Sequence, residues 1–302
     1  MMELKSEEMS LEYLLSLFLP NLIGIDLAKK LALIQMFCNP LEGERMHILY
    51  VGDPETGKGK IIREVARIHY KALYASSKRT TPVGIAEAVS MVDGGIVVCD
   101  ELDKMDKAVR DTILEPMEDG TITVNKHGVH EMVYARVNIL AACNPKGGRW
   151  EGSFDMSKIP LGRDNAPILS RFSPFVIPLK FLDIKYYDEK LVDAYYFEEN
   201  ISEIEREKIR KWFRNLISRR LEEVPRVEIN REIMEYITLK FIKGLKRRYD
   251  RVVPIGHRAA RSVISACKGL ARIEGRNYVT MEDVKKIKEM VESIYRTWFV
   301  NY

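Results

Sequence analysis

The chain has 302 residues, 46% hydrophobic and 30% charged, with 18 Gly and 12 Pro. That composition excludes a low-complexity or disordered chain and leaves room for about two domains, each able to bury a core. The formal net charge of +4 permits contact with nucleic acid without arguing for it. Cys38, Cys99, Cys143 and Cys267 lie far apart with no C-x-x-C pair, which argues against a zinc site or a disulfide framework and fits a reducing cytoplasm. The N-terminal apolar stretch is too short, and its flanks too mixed in charge, for a membrane span or a signal peptide, so neither anchoring nor export is expected.

In chain order, Ser10 to Cys38 repeats apolar residues at helical spacing with a break at Leu19-Pro20-Asn21, which predicts two helices. Met46 to Val51 is a short apolar run ending in Gly52-Asp53-Pro54, the pattern of a buried parallel strand entering a loop; a helix is expected from Ile61 to Leu73. Three further apolar runs follow: Gly95 to Cys99, ending in Asp100-Glu101; Val137 to Cys143, ending in Asn144-Pro145; and Phe175 to Leu179. Short apolar strands separated by helices and ending in polar residues imply an open parallel α/β sheet with its site at the strand C-termini. Between the second and third runs, Thr121 to Tyr134 alternates around His127-Gly128 and predicts a hairpin. Past Lys180 the pattern turns to charged amphipathic helices, with Ser202-x-x-Glu205 and Thr280-x-x-Asp283 as helix-start boxes. The expected division is an α/β core over 1–180 and an all-helical domain over 181–302.

Gly52-Asp53-Pro54-Glu55-Thr56-Gly57-Lys58 matches G-x-x-x-x-G-K between a predicted strand and helix. In that setting the loop amides and the helix N-terminus cradle phosphates, and Lys58 neutralises the β and γ charges. Gly59 stands where the full motif has the Ser or Thr whose hydroxyl binds Mg²⁺, so one metal ligand is missing; Lys60 follows it. Asp100 and Glu101 end their strand as a Walker B pair would, Asp100 to hold Mg²⁺ through its water shell and Glu101 to polarise the attacking water. Asn144, at the tip of the next strand, is placed to orient that water.

Taken in order, GDPETGKGK, GGIVVCDELDKM, ILAACNPKGGRW and ILSRF closely resemble the AAA+ motor module of the minichromosome maintenance (MCM) replicative helicases, from about Leu14 onward. The resemblance implies an α/β AAA+ P-loop core with a helical lid, ATP and Mg²⁺ as cofactors, and a ring, hexameric in the family, acting on single-stranded or forked DNA with other replication proteins. It implies that Arg171 is an arginine finger reaching a neighbouring subunit's γ-phosphate. Arg258 falls at the second-sensor position, with Arg261 as a rival. The hairpin corresponds to the channel hairpin, with Lys126 as the DNA-gripping tip lysine. The location implied is cytoplasmic, at the nucleoid in a prokaryote. His127 and His130 read as turn and strand-face residues, and Arg219-Arg220 and Lys246-Arg247-Arg248 as solvated helix faces.

Set against the resembled family, the 302 residues are expected to comprise the motor and its lid alone, with no room for the family's N-terminal oligonucleotide-binding domain or its C-terminal winged helix. Positions 85–93 leave no space for a second channel insert, and Gly59 and Ser173 depart from the family motifs. Two readings stand: a ring-shaped, ATP-driven helicase or translocase, and an ATP-binding assembly or regulatory factor that hydrolyses weakly and unwinds nothing. Gly59 and the absent insert favour the second; Glu101, Arg171 and Lys126 favour the first. A remodeller of the MoxR or chelatase type shares the core but not the DELDKM and NPKGGRW strings.

Overall fold

The computed structural model describes residues 9–76, 81–126, 129–152, 154–161, 165–180, 188–249 and 255–299. Five strands, β1 (Ile48–Gly52), β2 (Ala72–Ala75), β3 (Ile96–Cys99), β6 (Asn138–Cys143) and β7 (Val176–Leu179), form one parallel sheet in the order β2-β3-β6-β1-β7. Every residue of β1, β3, β6 and β7 is buried, as expected for strands covered on both faces by crossover helices. The register pairs Tyr50 with Ala142 and Ile177, and Val98 with Leu140. β1, β3 and β6 thus finish at one edge, where the sequence places its polar residues.

Four strands match the predicted apolar runs, and β2 corrects the expectation of a helix to Leu73. Helix α3 (Lys58–Ile68) ends at His69, and the chain re-enters the sheet at Ala72. Around the sheet lie α1 (Leu11–Leu17), α2 (Asp26–Met36), α4 (Pro82–Met91), α5 (Lys107–Leu114) and α6 (Asn165–Phe172). Helix α4 occupies the segment where no second insert was expected. Strands β4 (Thr121–Lys126) and β5 (Val129–Tyr134) pair antiparallel from Thr121↔Tyr134 to Lys126↔Val129, forming the predicted hairpin. Its Ile122 and Val124 are buried while Met132 and Tyr134 are exposed.

The C-terminal helices are α7 (Asp188–Asn200), α8 (Glu203–Glu223), α9 (Arg231–Glu235), α10 (Lys243–Tyr249), α11 (His257–Ile273) and α12 (Met281–Phe299), with a π-type segment Tyr236–Ile242 joining α9 to α10. Both predicted boxes form: Ser202 and Glu205 cap α8 reciprocally, and Thr280 and Asp283 exchange bonds at the start of α12. Arg220 is a correction. It is buried rather than solvated, and desolvation lowers its pKa; Arg219 and Lys246 to Arg248 are exposed as read.

Several contacts bind lid to core, among them those of Gly269, Arg272 and Trp298. Gly269 of α11 lies against α2, where an added Cβ would sit 2.6 Å from the Ile34 carbonyl oxygen, so glycine is what lets these helices approach. Beside it, fully buried Arg272 donates to Glu44 at 2.7 and 2.8 Å and also to the carbonyls of Val224 and Phe37. At β7, an edge strand of the sheet, Trp150 packs edge-on against Phe154 and against Trp298 of α12; the indoles of Trp150 and Trp298 donate to the Leu179 and Val176 carbonyls. All four cysteines are buried and unpaired. Among the described residues no helix is long and apolar enough to cross a membrane.

Candidate functional site

At the end of β1, a Cβ on Gly52 would meet Leu179 Cβ at 2.7 Å, so glycine lets β1 and β7 close before the chain turns out of the sheet. The loop that follows is folded on itself. Thr56 Oγ1 donates to the Asp53 carbonyl at 2.9 Å, and Lys58 Nζ donates to the same oxygen at 2.7 Å. Glu55 (φ 65°) and Gly57 (φ 85°) are left-handed, the alternation from which anion-binding nests are built. Buried Asp53 accepts the Trp150 amide at 2.6 Å, tying the loop to the NPKGGRW segment. Pro54 and Glu55 are exposed, and α3 starts directly at Lys58, so its N-terminal dipole faces the loop. Burial lowers the Lys58 pKa, opposed by Cys143, Asp100, Asp103 and Asp53. Lys60 turns away and lies 3.8 Å from Glu198.

β3, separated from β1 by β6, brings its acidic end Asp100-Glu101 beside this loop, and β6 itself ends in Asn144. Glu101 is held in the left-handed region (φ 54°), uncommon for a side chain of its kind, and its carboxylate pairs with Lys104. The half-buried Asn144 uses its backbone amide to support Asp103, whose carboxyl burial pushes above its ordinary range. Asp103, in the quoted DELDKM string, was open to sequence reasoning and was missed.

Asp100 has partners the sequence did not reveal. Its Oδ2 accepts from Arg63 Nη1 at 3.4 Å and from Tyr74 Oη at 3.1 Å. The same guanidinium lies over Gly59, where a Cβ would meet Nη2 at 3.2 Å. In this arrangement the residues do not fit the expected Mg²⁺: position 59 offers no oxygen, and the Asp100 oxygen faces a cation already there.

Arg171 and Arg258 lie together elsewhere. Arg171 Nη2 donates to Glu118 Oε1 at 2.7 Å, and Arg258 Nη2 reaches the same oxygen at 3.1 Å while its Nη1 donates to Ser170 Oγ, also at 3.1 Å. Arg258, grouped with the nucleotide residues in the sequence, is thus beside Arg171; among the described residues its recorded polar partners are Ser170 and Glu118, not P-loop groups. The hydrogen bond from Arg171 holds the Glu118 carboxyl below its usual range. Arg45, Arg171, Arg258 and the exposed Arg261 line a cleft of 210 Å³ with Glu118 and His47. Arg171 and Arg258 bond the Glu118 carboxylate while Arg45 donates to the Glu118 backbone carbonyl, so the guanidinium groups lining the cleft outnumber its carboxylates and leave it electropositive. No motif marked Glu118, which lies 53 and 140 residues from its partners. The Lys126 backbone closes β4 opposite Val129; its side chain, and His127 beyond it, lie outside the described residues.

Residues 1–193 match the MCM P-loop domain and residues 255–293 the AAA lid domain. The chain is 32% identical over 225 residues to DNA replication licensing factor Mcm6 of Anopheles gambiae, covering 62% of this chain and 27% of that protein. It is 29% identical over 306 residues to the zygotic licensing factor mcm6-A of Xenopus laevis, covering 90% and 36%, and 26% identical over 306 residues to the licensing factor mcm4 of Schizosaccharomyces pombe, covering 92% and 30%. The chain therefore spans about a quarter to a third of the length of these relatives. A nucleotide-binding P-loop, a five-stranded parallel sheet and a helical lid, matched over most of their length by that domain pair, establish that the chain belongs to the MCM family.

Proposed function

We propose that the chain is an ATPase subunit of a ring that acts on DNA in replication, with ATP held between its own P-loop and the Arg171 edge of a neighbouring MCM-type subunit. The observation that carries this reading is the joint placement of Arg171 and Arg258 on Glu118, apart from the P-loop groups. A nucleotide seated at Lys58 lacks an arginine finger until a second subunit supplies one. The relatives named as replication licensing factors support the replication setting, and the hairpin with Lys126 supports a salt-dependent, sequence-independent grip on phosphates.

In this reading the triphosphate takes the amides of the loop 53–58 and the N-terminus of α3. Lys58 swings from the Asp53 carbonyl to the phosphate oxygens. Glu101, released from Lys104, accepts a proton from the water that Asn144 orients; that water attacks the γ-phosphorus and ADP leaves, while the neighbour's Arg171 stabilises the charge on the equatorial oxygens. A second reading, an ATP-dependent assembly factor with slow hydrolysis, is favoured by one observation, the guanidinium of Arg63 between Gly59 and Asp100.

Steady-state ATP hydrolysis with and without single-stranded DNA, with Glu101→Gln as the blank, tests the pair. Turnover above the blank and stimulated by DNA supports the motor. Turnover equal to the blank, with nucleotide still bound, sinks it and leaves the assembly factor.

A further inference from the structure

Arg63 follows Gly59 by one helical turn, so the two residues share a face of α3. The missing side chain at 59 gives the guanidinium room to lie along that face, with Nη2 3.2 Å from where a Cβ would stand. From there Nη1 lies 3.4 Å from Asp100 Oδ2, and Tyr74 Oη steadies the same oxygen at 3.1 Å. The positive group thus sits between the two positions from which a P-loop ordinarily holds its cation. Its side chain is 53% exposed, against 17% for Asp100. The fork is therefore anchored at one end and open to solvent at the other.

We infer that Arg63 takes the place of the divalent cation: anchored on Asp100 beside Gly59, its guanidinium pairs with the β- and γ-phosphate oxygens, and the site binds a nucleoside triphosphate without metal. This rests on the reading that nucleotide seats at Lys58. The chemistry suits the task. A guanidinium has five N–H donors in a planar fork, enough to keep Asp100 while bonding two phosphate oxygens, and it stays charged at every working pH. Gly59 and Arg63 are then one device. A serine at 59 would crowd the guanidinium, which lies 3.2 Å from the added Cβ and would have to shift by a few tenths of an ångström, and at the same time offer the hydroxyl a metal needs.

The test is equilibrium binding of a fluorescent ATP analogue to the full chain, in Mg²⁺ and in EDTA, for wild type, Arg63→Gln, Gly59→Ser with Arg63→Gln, and Lys58→Ala, each checked for native circular dichroism. Arg63 is half exposed and glutamine is a good helix former, so the first variant keeps the fold. The expected result is a wild-type Kd that changes by less than about threefold on removing Mg²⁺, and a loss of about tenfold or more in EDTA for Arg63→Gln. The double variant becomes dependent on the cation. Loss of wild-type binding in EDTA, or an Arg63→Gln variant that binds as wild type in EDTA, overturns the inference. If Lys58→Ala is the variant that abolishes binding while Arg63→Gln does not, the P-loop reading stands and only the role of Arg63 falls. If Lys58→Ala binds as wild type, both fall.

Discussion

Glu44 and Glu118 both hold arginine side chains, but under different conditions. The Glu44–Arg272 pair is dry, with side-chain exposures of 2% and 0%, and every donor of the guanidinium faces an acceptor between lid and core. Glu118 is 48% exposed and shares one oxygen between Arg171 and Arg258, themselves 23% and 37% exposed. A buried pair cannot open without leaving a charge unsolvated, so it fixes the lid on the core. The wet pair opens cheaply, because water screens it and solvates what is released. The same functional groups serve as a fastener in one place and as a solvent-exposed, exchangeable pairing in the other.

The largest expected effect breaks the wet side. Arg171→Ala should lower ATP turnover of the assembled protein by about 10³-fold, with nucleotide affinity and thermal unfolding unchanged; a fall below tenfold would deny Arg171 a part in hydrolysis. Next comes the dry side. Glu44→Ala should cost about 3 to 5 kcal/mol and lower the melting temperature by about 5 to 8 °C, while Glu44→Gln with Arg272→Met should recover much of the loss; calorimetry decides. Acid sharpens the contrast. Burial, aided for His47 by Arg45, drives the His47 pKa to about 3 and that of His69 to about 4. Below pH 6.5 the unfolded chain gains protons that the folded chain refuses, so stability falls with pH from there down to these values. The loss from pH 7 to 5 is about 2 kcal/mol for each histidine. Glu118, held below its ordinary range, contributes stability above its unfolded pKa and surrenders it only as pH falls through its lower folded value, so the fold should weaken before Arg171 is released. Denaturant unfolding at pH 7, 6 and 5 for wild type, His47→Gln and His69→Gln checks this order. The smallest effect is Glu118→Gln, which should change stability by less than about 1 kcal/mol.

Strands that are buried end to end announce themselves, which is why β1, β3, β6 and β7 were legible as apolar runs. β2 was not: it lies at the sheet edge with three of its four residues partly or fully exposed, and Tyr70-Lys71 before it continues the polar rhythm of α3. The P-loop, Asp100-Glu101 and the hairpin could be read because their chemistry is local in sequence. Arg220 looked like half of a solvated basic pair, but adjacent residues on a helix point about 100° apart and only Arg219 faces water. Glu118 and Glu44 were unreadable for a different reason. Their arginine partners lie 53 to 228 residues away, and in a sequence one glutamate looks like any other until the fold brings arginines to it.

The Asp53–Trp150 bond gives the chain an optical property. Two of its three tryptophans, Trp150 and Trp298, stand ring to ring with centroids 5.7 Å apart, and the first is bonded through its amide to the phosphate loop. Any ligand that draws Asp53 aside turns an indole against its neighbours and changes its emission. Trp212, packed against Tyr13 and Phe213, supplies a steady background. A ligand that breaks the Asp53–Trp150 bond is therefore expected to register in unlabelled protein, through fluorescence built into its own core.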